Sequence, residues 1–457
     1  MRPATLSEAA QAMGADPQGA HVNALVSGAA TDSRKVREGD LFFALRGRTD
    51  GADFAPEAHL RGAVATVATR RLAVPTLVVD DPLEALQRLA RWTLDRAGAP
   101  SPTVIGITGT VGKTTTKDAL ATILRYAGRR VSATAGNLNN EIGLPLTILA
   151  SDPRTEVLVL EMGATHPGDI EFLCAIAPPE IGVLTAISPV HLESFGTLED
   201  LAAAKGELAS ALPESGTLVA PADAPEAATG SGRHLKRRIT FARDGDADLS
   251  ASGIEATDEG LRFVANILGE SVEVRSPVFG THLVAPLLAA LGGALALGIG
   301  LEQATHGLSR LRRTGLRGDV YRLREDIMVY DDSYNASPAA VAAVLRYGAD
   351  QASKQGRRLV VVLGGMFELG PGAREYHRET GRLAGEAGVD LLVCVGDEAR
   401  WYAETFPGRA LFYSNAESAA DALRQELQAR DYLIVKGSRG VGLDTLTRML
   451  RESLALV

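Results

Sequence analysis

Cysteine is nearly missing from this chain: among 457 residues only Cys174 and Cys394 are thiols, far apart in sequence. That excludes a disulfide framework and any cysteine-rich metal motif. It suits a reducing compartment, with both residues read as small buried apolar side chains. An excess of basic charge is missing too. With 47 Lys and Arg against 56 Asp and Glu, the net charge is -9, which argues against nucleic acid as the main partner. The opening MRPATLSEAAQAMGAD has no apolar signal-peptide core, so a cytoplasmic location is expected. Only one long uncharged run occurs, Leu283 to Leu301, and it is diluted by Pro286, Gly292, Gly293, Gly298 and Gly300. It reads as a buried helix whose small residues allow close packing, and no stable membrane insertion is expected.

What is present is a phosphate-binding signature. GITGTVGKTTTKD, Gly106 to Asp118, reads as an apolar strand, a glycine-bounded turn and a helix opening at Lys113. Backbone N–H groups of such a turn, and the positive end of the helix, suit phosphate oxygens. Gly109, Thr110, Val111 and Gly112 would form the turn, with Thr115 in the first helical turn. Lys113 would reach the outer phosphates and Thr114 would offer a hydroxyl to Mg2+. The turn is shorter than the usual phosphate loop, because the position five before Gly112 is Ile107.

At this length two or three domains are expected. Residues 1–82 mix short apolar runs, such as Asp40–Leu45 and Ala63–Thr69, with turns. A helix from about Pro82 to Ala97 and a linker-like AGAPSPT lead into repeated strand–helix units over 83–313. Strands are predicted at Thr103–Thr108, Val157–Glu161 and Ile181–Ile187, with helices starting near Lys113, Pro167 and Leu198. Asp223–Val274 reads as peripheral strands. Residues 314–457 repeat the strand–helix pattern, with strands at Ile327–Asp331, Leu359–Leu363, Leu391–Val395 and Tyr432–Val435 and helices near Pro338–Gln355, Ala373–Ala387 and Ala416–Arg430. The predicted class is α/β, with largely parallel sheets covered on both faces. No G-x-G-x-x-G follows the first strand of the last unit, so dinucleotide binding is not supported.

Candidate site residues gather at strand ends. Glu161 ends an apolar strand, where a carboxylate can hold Mg2+ beside a triphosphate. His191 follows the end of the next strand. Lys205, on the helix after it, reads from the residues alone as a solvated lysine. Asn137, Asn139 and Asn140 form a loop of amides that either makes turns or holds a polar substrate. YDDSYNASP (Tyr330 to Pro338) ends a strand in carboxylates and amides. VKGSRGVG (Val435 to Gly442) sets Lys436, Ser438 and Arg439 in a glycine-flanked cationic turn, suited to a carboxylate or phosphate or to bare surface.

Together these residues resemble the Mur ligase family, the ATP-dependent amide-forming enzymes of peptidoglycan assembly. The family's TGTxGKT loop, strand-end glutamate and HLxxFG-like sequence are matched by Thr108–Thr114, Glu161 and His191–Gly196, and the match spans essentially the whole chain. The resemblance implies three domains: a small N-terminal α/β domain for a UDP-sugar, a central phosphate-loop ATPase domain and a C-terminal Rossmann-like doubly wound domain. GNLNNEIGLPLTIL, AKGEL, DDSYNASP and the N-terminal TDSRKVREGDLFFALRGRTDGADF resemble the branch that joins D-alanyl-D-alanine to UDP-N-acetylmuramoyl-tripeptide. The resemblance implies ATP and two Mg2+ ions, with Lys113 on the phosphates and Thr114 and Glu161 on one ion. It places His191 and a carbamylated Lys205 at the second ion. Arg317, Asp332 and Asn335 would contact nucleotide. Ser33 and Arg34, in the domain for the UDP-sugar, and the asparagine loop would contact the UDP-linked peptide. Lys436, Ser438 and Arg439 would lie by the dipeptide.

Some positions depart from the family pattern. LGDMxELG is LGGMFELG here, with Gly365 for the aspartate and Phe367 at the variable place; Val111 stands where the loop often has asparagine, and Pro286 lies near a usual asparagine-alanine pair. A sister ligase adding a single amino acid and a folate-type glutamate ligase are the alternative enzymes, although no basic acceptor motif is seen. An ATPase remodelling a partner is the alternative class, without an arginine-finger or repeat signal. A monomer is expected.

Overall fold

The computed structural model describes residues 1–18, 22–96, 101–188, 192–230, 235, 237–257, 259–267, 269–312 and 315–455. Among the described residues there are four sheets: a short antiparallel pair, Ala4–Thr5 with Leu25–Val26, and three larger sheets that carry the chain. The N-terminal five-stranded sheet runs, in spatial order, Asp16–Gln18, Thr76–Val78, Ala65–Ala68, Asp40–Phe43, Gly28–Ala30, parallel except for its first strand. The apolar runs DLFF and ATVA are fully buried, as strands covered on both faces must be. The helix Pro82–Asp95 opens with Asp81 capping the Leu83 N–H and proline in its first turn, and buries its Ala85/Leu86/Leu89/Ala90 face. Most of the AGAPSPT segment lies outside the described residues.

The central sheet has nine strands. Val131–Ala133, Val157–Glu161, Thr103–Thr108, Ile181–Leu184, Thr217–Pro221, Arg237–Ala242 and Leu249–Thr257 pair parallel. Gly260–Ile267 and Glu270–Ser276 add an antiparallel edge. Asp223–Val274 is therefore not merely peripheral: its strands extend the central sheet. The Ala/Leu segment forms the helix Val284–Ala296, buried in the core along most of its length, and among the described residues no helix is long and apolar enough to cross a membrane. Its glycines permit the close approach: a Cβ on Gly292 would sit 2.6 Å from Val219, and one on Gly293 3.0 Å from Leu120.

The C-terminal sheet runs Asp319–Arg322, Met328–Asp332, Tyr432–Lys436, Leu359–Gly364, Leu391–Val395, Arg409–Tyr413, parallel except for the first. Helices Pro338–Gln355, Ala373–Glu386, Ala416–Glu426 and Leu443–Ser453 cover it. The fold is the α/β arrangement expected, including a doubly wound C-terminal unit. Both cysteines are buried, and desolvation pushes each thiol up to about 12, so they behave as apolar filling.

Candidate active site

The phosphate loop takes its shape from two glycines. Gly109 (φ +140°) and Gly112 (φ +88°) hold backbone conformations that side chains rarely adopt, and a Cβ on Gly109 would fall 2.2 Å from Thr185 Oγ1. Thr110 N–H donates to Ala186 O at 2.9 Å, and Thr185 Oγ1 donates to Val111 O at 2.6 Å, so the loop is tied to the neighbouring strand end. The helix Lys113–Tyr126 starts without a side-chain cap, leaving its first N–H groups for an anion. Lys113 Nζ folds back to Gly109 O at 2.7 Å. Desolvation pulls its pKa below the ordinary lysine value, with Glu161 opposing and Arg317 adding to the effect.

Sheet register then delivers the carboxylate. Glu161 pairs with Ile107 in the parallel ladder, so it emerges beside the loop. It is buried, accepting from Thr114 Oγ1 and from Asn139 Nδ2, both at 2.9 Å. Two hard oxygen donors beside a phosphate loop fit Mg2+, which takes one or two protein oxygens and fills its shell with phosphate and water. Among the described residues no three His, Cys, Asp or Glu side chains converge as a self-sufficient metal cage.

Lys205 corrects its residue-level reading. The helix Leu198–Ala211 turns it inward; it is 2% exposed, donates to Ala164 O at 3.2 Å and lies 5.2 Å over the Phe195 ring. Desolvation, then Lys113, lower its pKa to about 7 against the pull of Asp169 and Glu207. His191 lies outside the described residues.

The phosphate loop and the C-terminal sheet edge share one cavity of about 800 Å³. Gly112, Thr114, Thr115, Asn137, Asn139, Asn140 and Glu161 line one side; Arg317, Asp332, Asn335, Lys436, Ser438 and Arg439 line the other. Several of these polar groups already have partners. Lys436 is buried in an ion pair with Asp332, opposite it in the strand ladder, and donates to Asn335 O at 2.9 Å. Ser438 Oγ accepts the Phe367 N–H at 3.0 Å. Arg317 stacks 3.8 Å from the Tyr334 ring centroid, and Arg439, half exposed, pairs with Asp444 at 3.0 Å. Ser33 and Arg34 are not lining residues of this cavity: Ser33 donates to Glu57 at 2.8 Å, and Arg34 pairs with Asp32 at 2.9 Å in the N-terminal domain.

Three lining residues had no site role assigned from the sequence, although Tyr334 and Phe367 lie inside the stretches noted above. His282 sits just before the uncharged run; its Nδ1 is buried without a hydrogen-bond partner among the described residues, and desolvation lowers its pKa to about 4. Tyr334 carries Arg317, and Phe367 projects from the LGGMFELG loop. The signal available was position alone: Tyr334 and Phe367 inside quoted stretches, His282 next to the uncharged run.

Fold and cleft define a three-domain α/β protein with a phosphate loop facing a second sheet edge. Three family models match in chain order: the Mur ligase family catalytic domain at 25–92, the Mur ligase middle domain at 107–294 and the Mur ligase glutamate ligase domain at 316–439. The chain belongs to the Mur ligase family. It is 32% identical to the UDP-N-acetylmuramoyl-tripeptide–D-alanyl-D-alanine ligase of Bacillus subtilis over 96% of each chain. Among solved structures it is similar to MurF from Acinetobacter baumannii, with TM-score 0.88, 28% identity and 99% of both chains covered. It is also similar to the MurF ligase of Thermotoga maritima in complex with ADP, with TM-score 0.81, 30% identity, and 93% and 97% covered.

Proposed function

We propose that this chain is the ATP-dependent ligase that joins D-alanyl-D-alanine to the terminal carboxylate of UDP-N-acetylmuramoyl-tripeptide. The observation that carries this is the single cavity between the phosphate-loop edge and the C-terminal edge, in a chain with full-length likeness to such ligases. Residues 1–82 hold the UDP-sugar end, through the segment bearing Ser33 and Arg34. Residues 83–313 hold ATP, and 314–457 bring the acceptor. The enzyme acts as a cytoplasmic monomer.

A carboxylate is a poor electrophile, so it is first phosphorylated. Its oxygen attacks the γ-phosphorus, the bond to the β–γ bridging oxygen breaks, and ADP leaves. Lys113 and the helix N-terminus meet the charge spreading over the phosphoryl oxygens. Thr114 and Glu161 would hold a magnesium ion beside the phosphates, which would supply further charge neutralisation. The dipeptide amine then attacks the acyl carbon, loses a proton, and phosphate departs with the carboxylate oxygen. Lys205 is buried with its pKa near neutrality, and a neutral amine is the form that adds CO2 to give the carbamate implied for a second ion, alongside His191. Arg317, Asp332 and Asn335 hold the nucleotide from the C-terminal side. Asn137, Asn139 and Asn140 face the peptide, while Lys436, Ser438 and Arg439 shape the dipeptide's end of the cleft.

The test is mass spectrometry of the UDP-peptide after incubation with ATP, Mg2+ and D-alanyl-D-alanine. A gain of one dipeptide less water, dependent on ATP, is expected. ATP hydrolysis without that gain would leave a nucleotide site and remove the substrate assignment.

A further inference from the structure

Phe367 is a large apolar side chain left 42% exposed, between Met366 and Leu369 that the same loop buries, and it faces the cleft. Its exposure is not slack in the loop. Met366 N–H donates to His377 Nε2 at 2.9 Å, while His377 Nδ1 contacts Ala373 O at 2.6 Å. His377 therefore serves as a neutral ring accepting at Nε2 and donating at Nδ1. Phe367 N–H donates to Ser438 Oγ, and Ser438 N–H donates to Gly365 O at 3.1 Å, zipping the loop to the Gly437–Gly442 turn. Glu368 is held at φ +64°, a left-handed conformation that persists for a non-glycine residue only where the surroundings enforce it.

The ring lies against Gly440, where a Cβ would come within 2.7 Å of it, and Gly440 directly follows Arg439. The chain next to this loop, Gly370–Gly372, lies against the helix Leu192–Phe195, whose Phe195 ring carries Lys205. The loop thus reaches toward the Lys205 part of the cleft on one side, and on the other Arg439, 5.8 Å from the Tyr334 ring centroid, links it to the Arg317–Tyr334 stack. An immobilised aromatic face beside a guanidinium matches a short peptide with methyl side chains and a free carboxylate.

We propose that Phe367 is a specificity-determining residue for the acceptor, giving the apolar wall against which the methyl groups of the incoming dipeptide pack. This rests on the functional reading above. It assigns position 367 the task of excluding larger side chains, with Arg439 near the carboxylate.

The experiment compares full-length F367A and F367L with the unaltered chain, measuring KM for D-alanyl-D-alanine, ATP and the UDP-tripeptide. It adds D-alanyl-D-leucine as a bulkier acceptor. F367A should raise KM for D-alanyl-D-alanine about tenfold, as lost apolar contact does. KM for ATP should stay within about twofold, and the ratio of kcat/KM should shift toward D-alanyl-D-leucine. If F367A melts early, F367L is read by the same criteria, with a smaller rise. An ATP KM that rises instead, with the dipeptide KM unmoved, would show the ring serving the base and overturn the inference. Dipeptide-dependent turnover in the unaltered chain with no KM moved by either variant overturns the inference alone. No dipeptide-dependent turnover in the unaltered chain overturns the functional reading with it.

Discussion

The two edges that meet in the cleft are built differently. On the central sheet, Lys113, Thr114 and Glu161 sit within one strand end and one helix start; Thr114 and Glu161 are buried and bonded to each other, and the half-buried Lys113 folds back on the loop. On the C-terminal sheet, Lys436 and Asp332 close on each other, and the groups left facing outward are Arg317, Arg439 and Phe367 on loops. Chemistry common to every ATP-driven ligation is held by regular structure. Selection of the partner is left to loops that a rigid sheet positions.

This contrast can be broken in steps. K113A removes the charge that meets the phosphoryl oxygens and should lower kcat by about 10³-fold with little change in melting temperature, in a phosphate-release assay. K436M removes the buried partner of the partly buried Asp332 and should act on folding, costing about 3 kcal/mol in denaturant unfolding. If K436M leaves stability intact and raises only the dipeptide KM, the ion pair is not the structural tie described here. E161Q should lower kcat by about 10²-fold and raise the Mg2+ concentration needed for half-maximal rate.

Lys205 adds a pH signature. Its amine titrates near 7 in the fold and about 10.4 in the unfolded chain. Between those values the unfolded chain binds the extra proton, so stability rises with pH from 7 upward; below 7 the cost of the buried ammonium is fully present. Activity should fall about tenfold per pH unit below 7 as the neutral amine is lost, and added bicarbonate should restore part of it near pH 7. A flat profile unaffected by bicarbonate would refute the carbamate. R317A, which removes only the cation stacked on Tyr334, should raise KM for ATP by a few fold.

The same contrast governed what could be read in the sequence. Thr103–Thr108 and Val157–Glu161 were legible to the residue because each is an apolar run stopped by a turn or a charge. Pro338–Gln355 was legible because proline starts it and Gly356 ends it in the left-handed region. The edge strand Arg409–Tyr413 was not, since a half-exposed strand lacks a clean apolar run. The burial of Lys205 was not legible from the residues alone, because a helical lysine's burial depends on which neighbour covers it, here Phe195. His282 carried no signal, and Phe367, legible only as a variable position, gained a role once folding had turned it into the cavity.

The most direct test follows one oxygen. UDP-N-acetylmuramoyl-tripeptide labelled with 18O in its terminal carboxylate is turned over with ATP and D-alanyl-D-alanine, and the released phosphate is analysed by mass. An acyl phosphate formed at Lys113 and opened by the amine predicts one labelled oxygen in each phosphate. Unlabelled phosphate would mean that water, not the substrate carboxylate, takes the phosphoryl group, and would contradict the account.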